Sequence, residues 1–252
     1  MRKRFLAVSF FAVFGLASLS FADTMAWQIT EVKTFGTVNL NTGKFNKVSD
    51  LPFIAAGLGQ VAGTLYVPVF GGTDLYRLSA SNGALTPVGQ SVISYFGFGS
   101  TNSALYMVDT VGTLWTINAA DGTATIVGST RLDLTGVKSI ALSAGSNALY
   151  LAINSDLFVI DTTSGLASYV GTSGATDFGA IVDIRGTIYA NSITGPNAVY
   201  TYDPATSVVS TVQSNSGSYA WGLAAVVPEP GSFVLIGLGV LLGGYSLRRR
   251  RS

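Results

Sequence analysis

The side chains of this sequence that could support catalysis or metal binding are the carboxylates of its thirteen Asp and Glu residues. The chain of 252 residues has no histidine and no cysteine, the commonest zinc ligands. Glycoside hydrolysis needs two carboxylates that converge to within about 5 to 9.5 Å. Asp121, Asp161 and Asp203 recur in turns of a repeat, whereas five further aspartates appear once each and share no register: Asp109, Asp133, Asp156, Asp177 and Asp183. This pattern favours a structural role in turns over a catalytic pair.

Contiguous catalytic and metal-binding motifs are absent. The sequence contains no D-x-[DN]-x-[DN]-G calcium loop, no G-x-S-x-G nucleophile elbow, no P-loop and no H-E-x-x-H motif. It therefore predicts no catalytic residue, no cofactor-binding residue and no metal ligand.

Two sets of residues recur with a spacing of about forty residues. Turn tetrapeptides end at Gly43, Gly83, Gly122, Gly165 and Ser207. A Leu-Tyr or Ile-Tyr pair ends at Tyr66, Tyr106, Tyr150 and Tyr189. Because a period of this length is typical of repeat folds, the sequence predicts five copies of one supersecondary unit.

Each unit has the pattern of four short strands. In the second unit, β-branched and aromatic runs at 95–99, 105–108, 114–117 and 124–127 are separated by Asn, Asp, Ser and Gly. The first strand of a unit is small and glycine-rich, as at 54–59, 140–142 and 178–182, which suits a crowded position near a ring axis. We predict an all-β body, residues 23–227, built as a β-propeller of five four-stranded blades. A β-sandwich and an open β-solenoid are the alternatives.

The N-terminal and C-terminal ends of the repeat region together supply the strands of one blade. Ala220–Val226 has the pattern of an inner strand without followers, and Gly36–Leu40 and Lys44–Val48 have that of outer strands without predecessors. With Trp27–Lys33 as the second strand, these segments predict a fifth blade that closes the ring and removes open sheet edges.

Three aromatic residues are candidates for stacking on sugar rings at the mouth of such a ring: Tyr95, Tyr219 and Trp221. The alternative is that they pack between blades, which is the commoner role for aromatic residues at such positions.

The turns also carry a resemblance. Asp161–Gly165 and Asp203–Ser207 each follow an apolar strand and resemble the D-x-x-T-G hairpins of many bacterial propeller repeats. Ser79 and Asn118 replace the aspartate in two units, and Ser207 replaces the last glycine. The resemblance implies a turn only, in which the aspartate accepts backbone N–H groups and glycine takes a positive φ.

Residues 228–252 have the composition of a membrane anchor. The sixteen residues Ser232–Leu247 carry no charge and would span about 24 Å as a helix, slightly under the ~30 Å of a bilayer core. The cluster that follows favours the cytoplasmic side: Arg248, Arg249, Arg250 and Arg251. These features predict a transmembrane helix at 232–247 with the body outside the cytoplasm.

The tail resembles a known sorting signal. Val227, Pro228, Glu229 and Pro230, followed by an apolar span and terminal arginines, are similar to the PEP-CTERM signal. The resemblance implies an exported protein of a Gram-negative bacterium that makes exopolysaccharide. It also implies processing by an integral-membrane exosortase and sorting to the cell surface or extracellular matrix. It covers about a tenth of the chain and implies nothing about the activity of the body.

Residues 1–22 have the order of a secretory signal peptide. Arg2-Lys3-Arg4 is basic, Phe5–Leu19 is apolar, and Ser20-Phe21-Ala22 supplies small residues. This order predicts cleavage between Ala22 and Asp23. The alternative is an uncleaved anchor helix. In both cases the body is exported.

The body is acidic. Of thirteen acidic residues only Glu229 lies outside Asp23–Val227, and seven of fourteen basic residues lie inside it, so its net charge is about −5. This charge argues against nucleic acid as a partner, because proteins that bind nucleic acid present a basic surface to it. With no cysteine there is no disulfide framework, but about 200 residues can bury a sufficient core.

Together these features predict a non-enzymatic binding or structural module at the cell surface, associated with exopolysaccharide. The alternative is a secreted enzyme that acts on polysaccharide, with carboxylates at the propeller mouth. Two or more carboxylates converging on the axial funnel would favour the enzyme, whereas an apolar or sealed funnel would favour the module.

Overall fold

The computed structural model describes residues 23–144, 148–173, 177–193, 198–203, 206, 208–214 and 219–226. Several predictions from the sequence lie outside these residues: the signal peptide with Ala22, the sorting residues Val227 to Pro230, the span 232–247 and Arg248 to Arg251. Asp23 is described, is exposed, and precedes the first strand.

The described residues form twenty strands in five antiparallel four-stranded sheets, here called blades I to V. Blade V contains β1 (Met25–Thr30), β2 (Thr34–Asn39) and β3 (Phe45–Asp50), and its inner strand is β20 (Ala220–Ala225). Blade I contains β4 (Gly59–Val61), β5 (Thr64–Pro68), β6 (Asp74–Leu78) and β7 (Leu85–Gln90). Blade II contains β8 (Gly97–Ser100), β9 (Leu105–Val108), β10 (Thr113–Ile117) and β11 (Ala124–Ser129).

The remaining blades follow the same order from the axis outward. Blade III contains β12 (Ile140–Leu142), β13 (Leu149–Ile153), β14 (Asp156–Ile160) and β15 (Ala167–Thr172). Blade IV contains β16 (Phe178–Ile184), β17 (Thr187–Ser192), β18 (Ala198–Asp203) and β19 (Val208–Ser214). The inner strands β20, β4, β8, β12 and β16 contact one another in that cyclic order. The predicted five-bladed propeller is confirmed, and the sandwich and open-solenoid alternatives are excluded.

Two predicted strands begin or end elsewhere. The inner strand expected at Ile54–Gly59 begins only at Gly59, since Ala55 makes an isolated bridge to Val69 and Gly57 has a φ of 147°. The strand expected at Trp27–Lys33 is β1, which ends at Thr30 because Lys33 turns back with a φ of 64° and donates its N–H to the Thr30 carbonyl.

The core is divided into five apolar clusters, one between each pair of adjacent blades. The second strand of a blade supplies a large part of each cluster, as predicted for the Leu-Tyr strands. Leu65, Leu105, Leu149 and Ile188 are almost completely buried. Each cluster joins residues of two blades, so the burial of apolar surface holds the ring together.

Small residues let the inner strands approach one another closely. A Cβ atom added to Gly222 of β20 would lie 2.7 Å from the backbone nitrogen of Leu58, and one added to Gly99 of β8 would lie 2.3 Å from the Ser143 carbonyl oxygen. The glycine-rich inner strands expected from the sequence are therefore required by their spacing around the axis.

The ring has two faces, because antiparallel strands turn alternately at either end. The chain enters β1 and leaves β20 at one face, here called the terminal face, where Ala26 pairs with Ala225. The connection from each outer strand to the next inner strand lies at the opposite face, here called the mouth face.

Candidate binding site at the ring axis

A cavity of about 180 Å³ opens at the mouth face, where the inner strands begin. Every blade contributes to its wall. The lining residues are Ala56, Phe70, Phe96, Val137, Lys138, Ser139, Ile140, Gly179, Ile193 and Trp221. Three of them are aromatic and one is cationic, and none is a carboxylate.

The ring of Phe70 meets the rings of Phe96 and Trp221 edge to face. The ring centroid of Phe70 lies 5.4 Å from that of Phe96 and 5.5 Å from that of Trp221, with interplanar angles of 63° and 67°. Phe70 is 41% exposed, and Phe96 and Trp221 are partly buried. Edge-to-face contacts of this kind fix the orientation of the rings, so the mouth presents an ordered aromatic surface.

Backbone hydrogen bonds hold Phe70 and Phe96 in place. Phe70 donates its N–H to the Ile54 carbonyl at 2.8 Å, while Gly71 donates to the Tyr95 carbonyl and Tyr95 to the Gly72 carbonyl, both at 2.9 Å. These bonds join the β5–β6 connection of blade I to the segment that precedes β8. The two phenylalanines are therefore fixed across the interface between blades I and II.

Trp221 occupies an irregular position in β20. Ile29 pairs with Gly222 and Thr30 with Ala220, so Trp221 is the extra residue of a β-bulge. Bulges redirect side chains and are frequent beside functional sites. The bulge lies at the end of β20 that reaches the cavity.

Asn154 positions the polar side of the cavity. It lies in the β13–β14 turn with a φ of 51°, and its side-chain oxygen accepts the N–H groups of Lys138 at 2.9 Å and of Ser139 at 3.3 Å. Its own N–H donates to the Ser139 carbonyl at 3.0 Å. The backbone that carries Lys138 and Ser139 is thereby held through both its N–H groups and its Ser139 carbonyl.

Two polar groups at the cavity have no partner among the described residues. Ser139 is 8% exposed, and its Oγ makes no hydrogen bond there. Lys138 is exposed, and its ammonium makes no ion pair with any described carboxylate. A buried hydroxyl without a partner is unfavourable. The lining residues therefore include one hydroxyl and one ammonium that no described residue satisfies.

The recurring aspartates lie in turns at the terminal face, as the sequence predicted. Asp121 accepts the N–H and hydroxyl of Thr123, Asp161 accepts the N–H of Thr163, and Asp203 accepts the hydroxyl of Thr206 at 2.9 Å. Gly122 and Gly165 take positive φ values of 78° and 82° in these turns. Hydrogen bonds from Thr123 and Thr163 lower the pKa of Asp121 and of Asp161.

Other aspartates also cap turns. Asp109 accepts the N–H groups of Val111 and Thr113, and its second oxygen accepts the indole N–H of Trp115 at 2.9 Å. Asp183 accepts the N–H of Gly186, and Thr135 donates to Asp133 and lowers its pKa. Neither these aspartates nor Asp156 and Asp177 line the cavity. Within the described ranges, acidic side chains form no cluster that could hold a metal ion.

Of the three aromatic candidates from the sequence, one packs between blades and one lines the cavity. Tyr95 is fully buried and packs between blades I and II, with its ring centroid 5.7 Å from that of Phe98. Trp221 lines the cavity, and Tyr219, which is only two residues away, does not. Phe70, Phe96 and Lys138 were not singled out from the sequence, although Phe70 is followed by a Gly-Gly pair that marks a mouth-face turn.

The C-terminal segment matches a known family. A family profile described as the PEP-CTERM protein-sorting motif matches residues 226–251. The chain carries a PEP-CTERM sorting motif. The motif begins directly after β20, which ends at Ala225. It implies export, processing by an exosortase-type enzyme and sorting to the surface of a Gram-negative bacterium. Among the described residues there is no helix of the length and hydrophobicity needed to cross a bilayer.

Solved structures share the fold of the blades that precede this PEP-CTERM motif. A structural genomics protein of unknown function from Bacteroides thetaiotaomicron VPI-5482 is 15% identical, with a TM-score of 0.58, over 82% of this chain and 66% of that one. A chain of a nidogen/laminin complex is 10% identical, with a TM-score of 0.53, over 81% of this chain and 98% of that one. At these identities the likeness shows the fold alone. No curated protein matches the sequence.

Proposed function

We propose that this protein is an exported, non-enzymatic surface module that binds a saccharide chain of the extracellular matrix, its exopolysaccharide, at the axial cavity. The observation that carries the proposal is the group of three aromatic rings at the mouth: Phe70, Phe96 and Trp221. The sorting motif supports the location, since a surface protein meets such polymers outside the cell.

The cavity has the chemistry of a shallow sugar site. Sugar rings carry apolar C–H faces that pack on aromatic rings, and their hydroxyls need polar partners at the edge of the stack. The volume of about 180 Å³ is below the ~300 Å³ at which pockets for drug-sized ligands begin. One sugar ring therefore suits the cavity, with the rest of the polymer lying across the mouth face.

The lining supports binding without cleavage. Hydrolysis of a glycosidic bond needs an acid and a base or nucleophile, normally two carboxylates placed about 5 to 9.5 Å apart. The residues that line the cavity include no Asp or Glu. The turn aspartates Asp121 and Asp161 are committed to backbone groups of their own turns.

The position of the chain ends supports a tethered receptor. Val226, where the sorting motif begins, lies at the terminal face, and Trp221 lies at the other end of the same strand. A strand of six residues is about 20 Å long. A body anchored in the cytoplasmic membrane through its tail before processing would therefore direct its mouth away from the lipid.

The test is binding of soluble oligosaccharides to the full chain in detergent micelles, measured by calorimetry. Replacing Trp221 with Ala should weaken binding roughly tenfold or more, because a stacking ring is lost. The matched control is Tyr169→Ala, which removes a ring that is 60% exposed on the outer strand of blade III. Equal affinity in both variants would contradict the proposed site.

Cleavage is measured on the same samples. Prolonged incubation should release no new reducing ends from any polysaccharide that binds. Release that persists in Trp221→Ala would point to an enzyme whose site lies elsewhere on the chain.

A further inference from the structure

We propose that the sugar recognised at the mouth is acidic, and that Lys138 and Ser139 bind its carboxylate. This inference rests on the proposed function and assigns the chemical class of the ligand. The ring of a hexuronate residue would lie against Trp221 and Phe70, and its carboxylate would face the polar side of the cavity.

The polar side is complementary to a carboxylate. An ammonium donates to a carboxylate through charge-assisted hydrogen bonds, and a serine hydroxyl donates a further one. Lys138 has no ion-pair partner and the Oγ of Ser139 has no hydrogen bond among the described residues, although both line the cavity. A neutral sugar would satisfy the hydroxyl but would leave the positive charge without a partner.

The site is organised before any ligand binds. The side-chain oxygen of Asn154 accepts the N–H groups of both Lys138 and Ser139, and its N–H donates to the Ser139 carbonyl. Ser139 lines the cavity and is only 8% exposed, and its Oγ is buried without a partner among the described residues, so it must rotate toward a ligand in order to donate. Because the backbone that carries both side chains is already fixed, binding costs no ordering of this segment.

The surrounding charge makes Lys138 selective. The body has a net charge of about −5, so a polyanion has no general attraction to it. Lys138 is the one charged residue among those that line the cavity. Because only one charge pair forms, binding should weaken only a few-fold between low and high salt.

The experiment compares two matched probes on the full chain in detergent micelles: a galacturonate hexamer and the same hexamer with its carboxyl groups reduced to alcohols. The wild-type protein should bind the acidic hexamer about tenfold more tightly. Lys138→Met keeps an apolar stem and removes the charge, so it should bind both hexamers with the affinity that the wild-type protein shows for the reduced one. Lys138→Arg should retain the preference, and Ser139→Ala should reduce it by a few-fold.

The control is Lys44→Met, which removes an exposed lysine at the terminal face. It should leave both affinities unchanged. Equal binding of both hexamers by the wild-type protein, or a preference that survives in Lys138→Met, overturns the acidic specificity while the saccharide site stands. Failure of the wild-type protein to bind either hexamer, with capture instead of an apolar peptide that ends in a free carboxylate, overturns the saccharide site as well.

Discussion

Val226 donates its backbone N–H to the carbonyl oxygen of Met25 at 3.2 Å, so the last strand of the ring is bonded to the first. The same pairing continues along β1 and β20 from Ala26–Ala225 to Thr30–Ala220. Closure therefore depends on about six residues at the very end of the body, directly before the sorting motif. The ring cannot be completed until almost all of the chain has been exported.

The closing strand should carry a large part of the stability. Leu223 of β20 is 1% exposed and packs in the cluster between blades IV and V. Leu223→Ala should lower the free energy of unfolding by about 2 to 5 kcal/mol, as for other buried leucines. The control Ile126→Ala removes a side chain that is 60% exposed on β11 and should change it by no more than about 0.5 kcal/mol. Denaturant unfolding of the full chain measures both, and an equal small effect would show that β20 does not close the ring.

The two faces should differ in their distance from a membrane that holds the tail. Six residues separate Ala225 from the predicted span at Ser232, and they can reach no more than about 22 Å. Because the chain has no cysteine, single cysteines can be labelled without background. A fluorophore at Asn41→Cys, on the terminal face, should be quenched by a headgroup quencher in vesicles that carry the full chain. One at Val111→Cys, on the mouth face, should be quenched much less, and the reverse order would contradict the proposed orientation.

Repetition made the fold predictable. The hairpin residues and the Leu-Tyr pairs recur once per blade, so the blade count followed from spacing alone. The structure shows a further repeat: each outer strand has a β-bulge at a valine, at Val48, Val88, Val127, Val170 and Val212. In three blades the next residue is a glycine: Gly89, Gly128 and Gly171. The first two lie under the turn of the following blade, since a Cβ on Gly89 would lie 1.8 Å from the Asp121 carbonyl oxygen and one on Gly128 2.0 Å from that of Ser164.

The cavity was less predictable because its lining positions repeat while their residue types do not. Four lining residues precede the tyrosine of their unit by ten positions, but only one of them is aromatic: Ala56, Phe96, Ile140 and Gly179. The residues that give the cavity its chemistry, Phe70, Lys138 and Trp221, belong to three different units. Only ring closure brings them together, from positions as far apart as 151 residues. Their convergence follows from which connections lie at the mouth face, and that is fixed only when the blades are arranged around the axis.

Burial of Tyr95 should appear in alkaline titration. Burial raises its pKa to about 12 from the usual value of 10.0, so the folded state retains this proton where the unfolded state has lost it. The stabilising contribution is complete below pH ~10 and is lost as pH rises toward ~12. Tyr95→Phe should therefore flatten the decline in stability over this interval and remove one phenolate that appears near pH 12 in the ultraviolet difference spectrum. An unchanged alkaline decline would contradict the assignment of that loss to Tyr95.

Pro228, Glu229 and Pro230 should be needed for processing and not for folding. Two prolines within three residues lack amide donors and disfavour both helix and strand, so the segment suits an extended substrate between the ring and the predicted span. Glu229 is the only acidic residue after Asp203 and therefore the one negative charge that a processing enzyme could recognise there. With all three replaced by alanine, the full chain should accumulate uncleaved in the cytoplasmic membrane while its melting temperature stays unchanged. Immunoblotting of membrane and surface fractions measures the first effect and calorimetry the second. Normal sorting of the variant would contradict recognition of this triplet. A lowered melting temperature would show that the triplet contributes to the folded propeller, which would then extend past the end of β20.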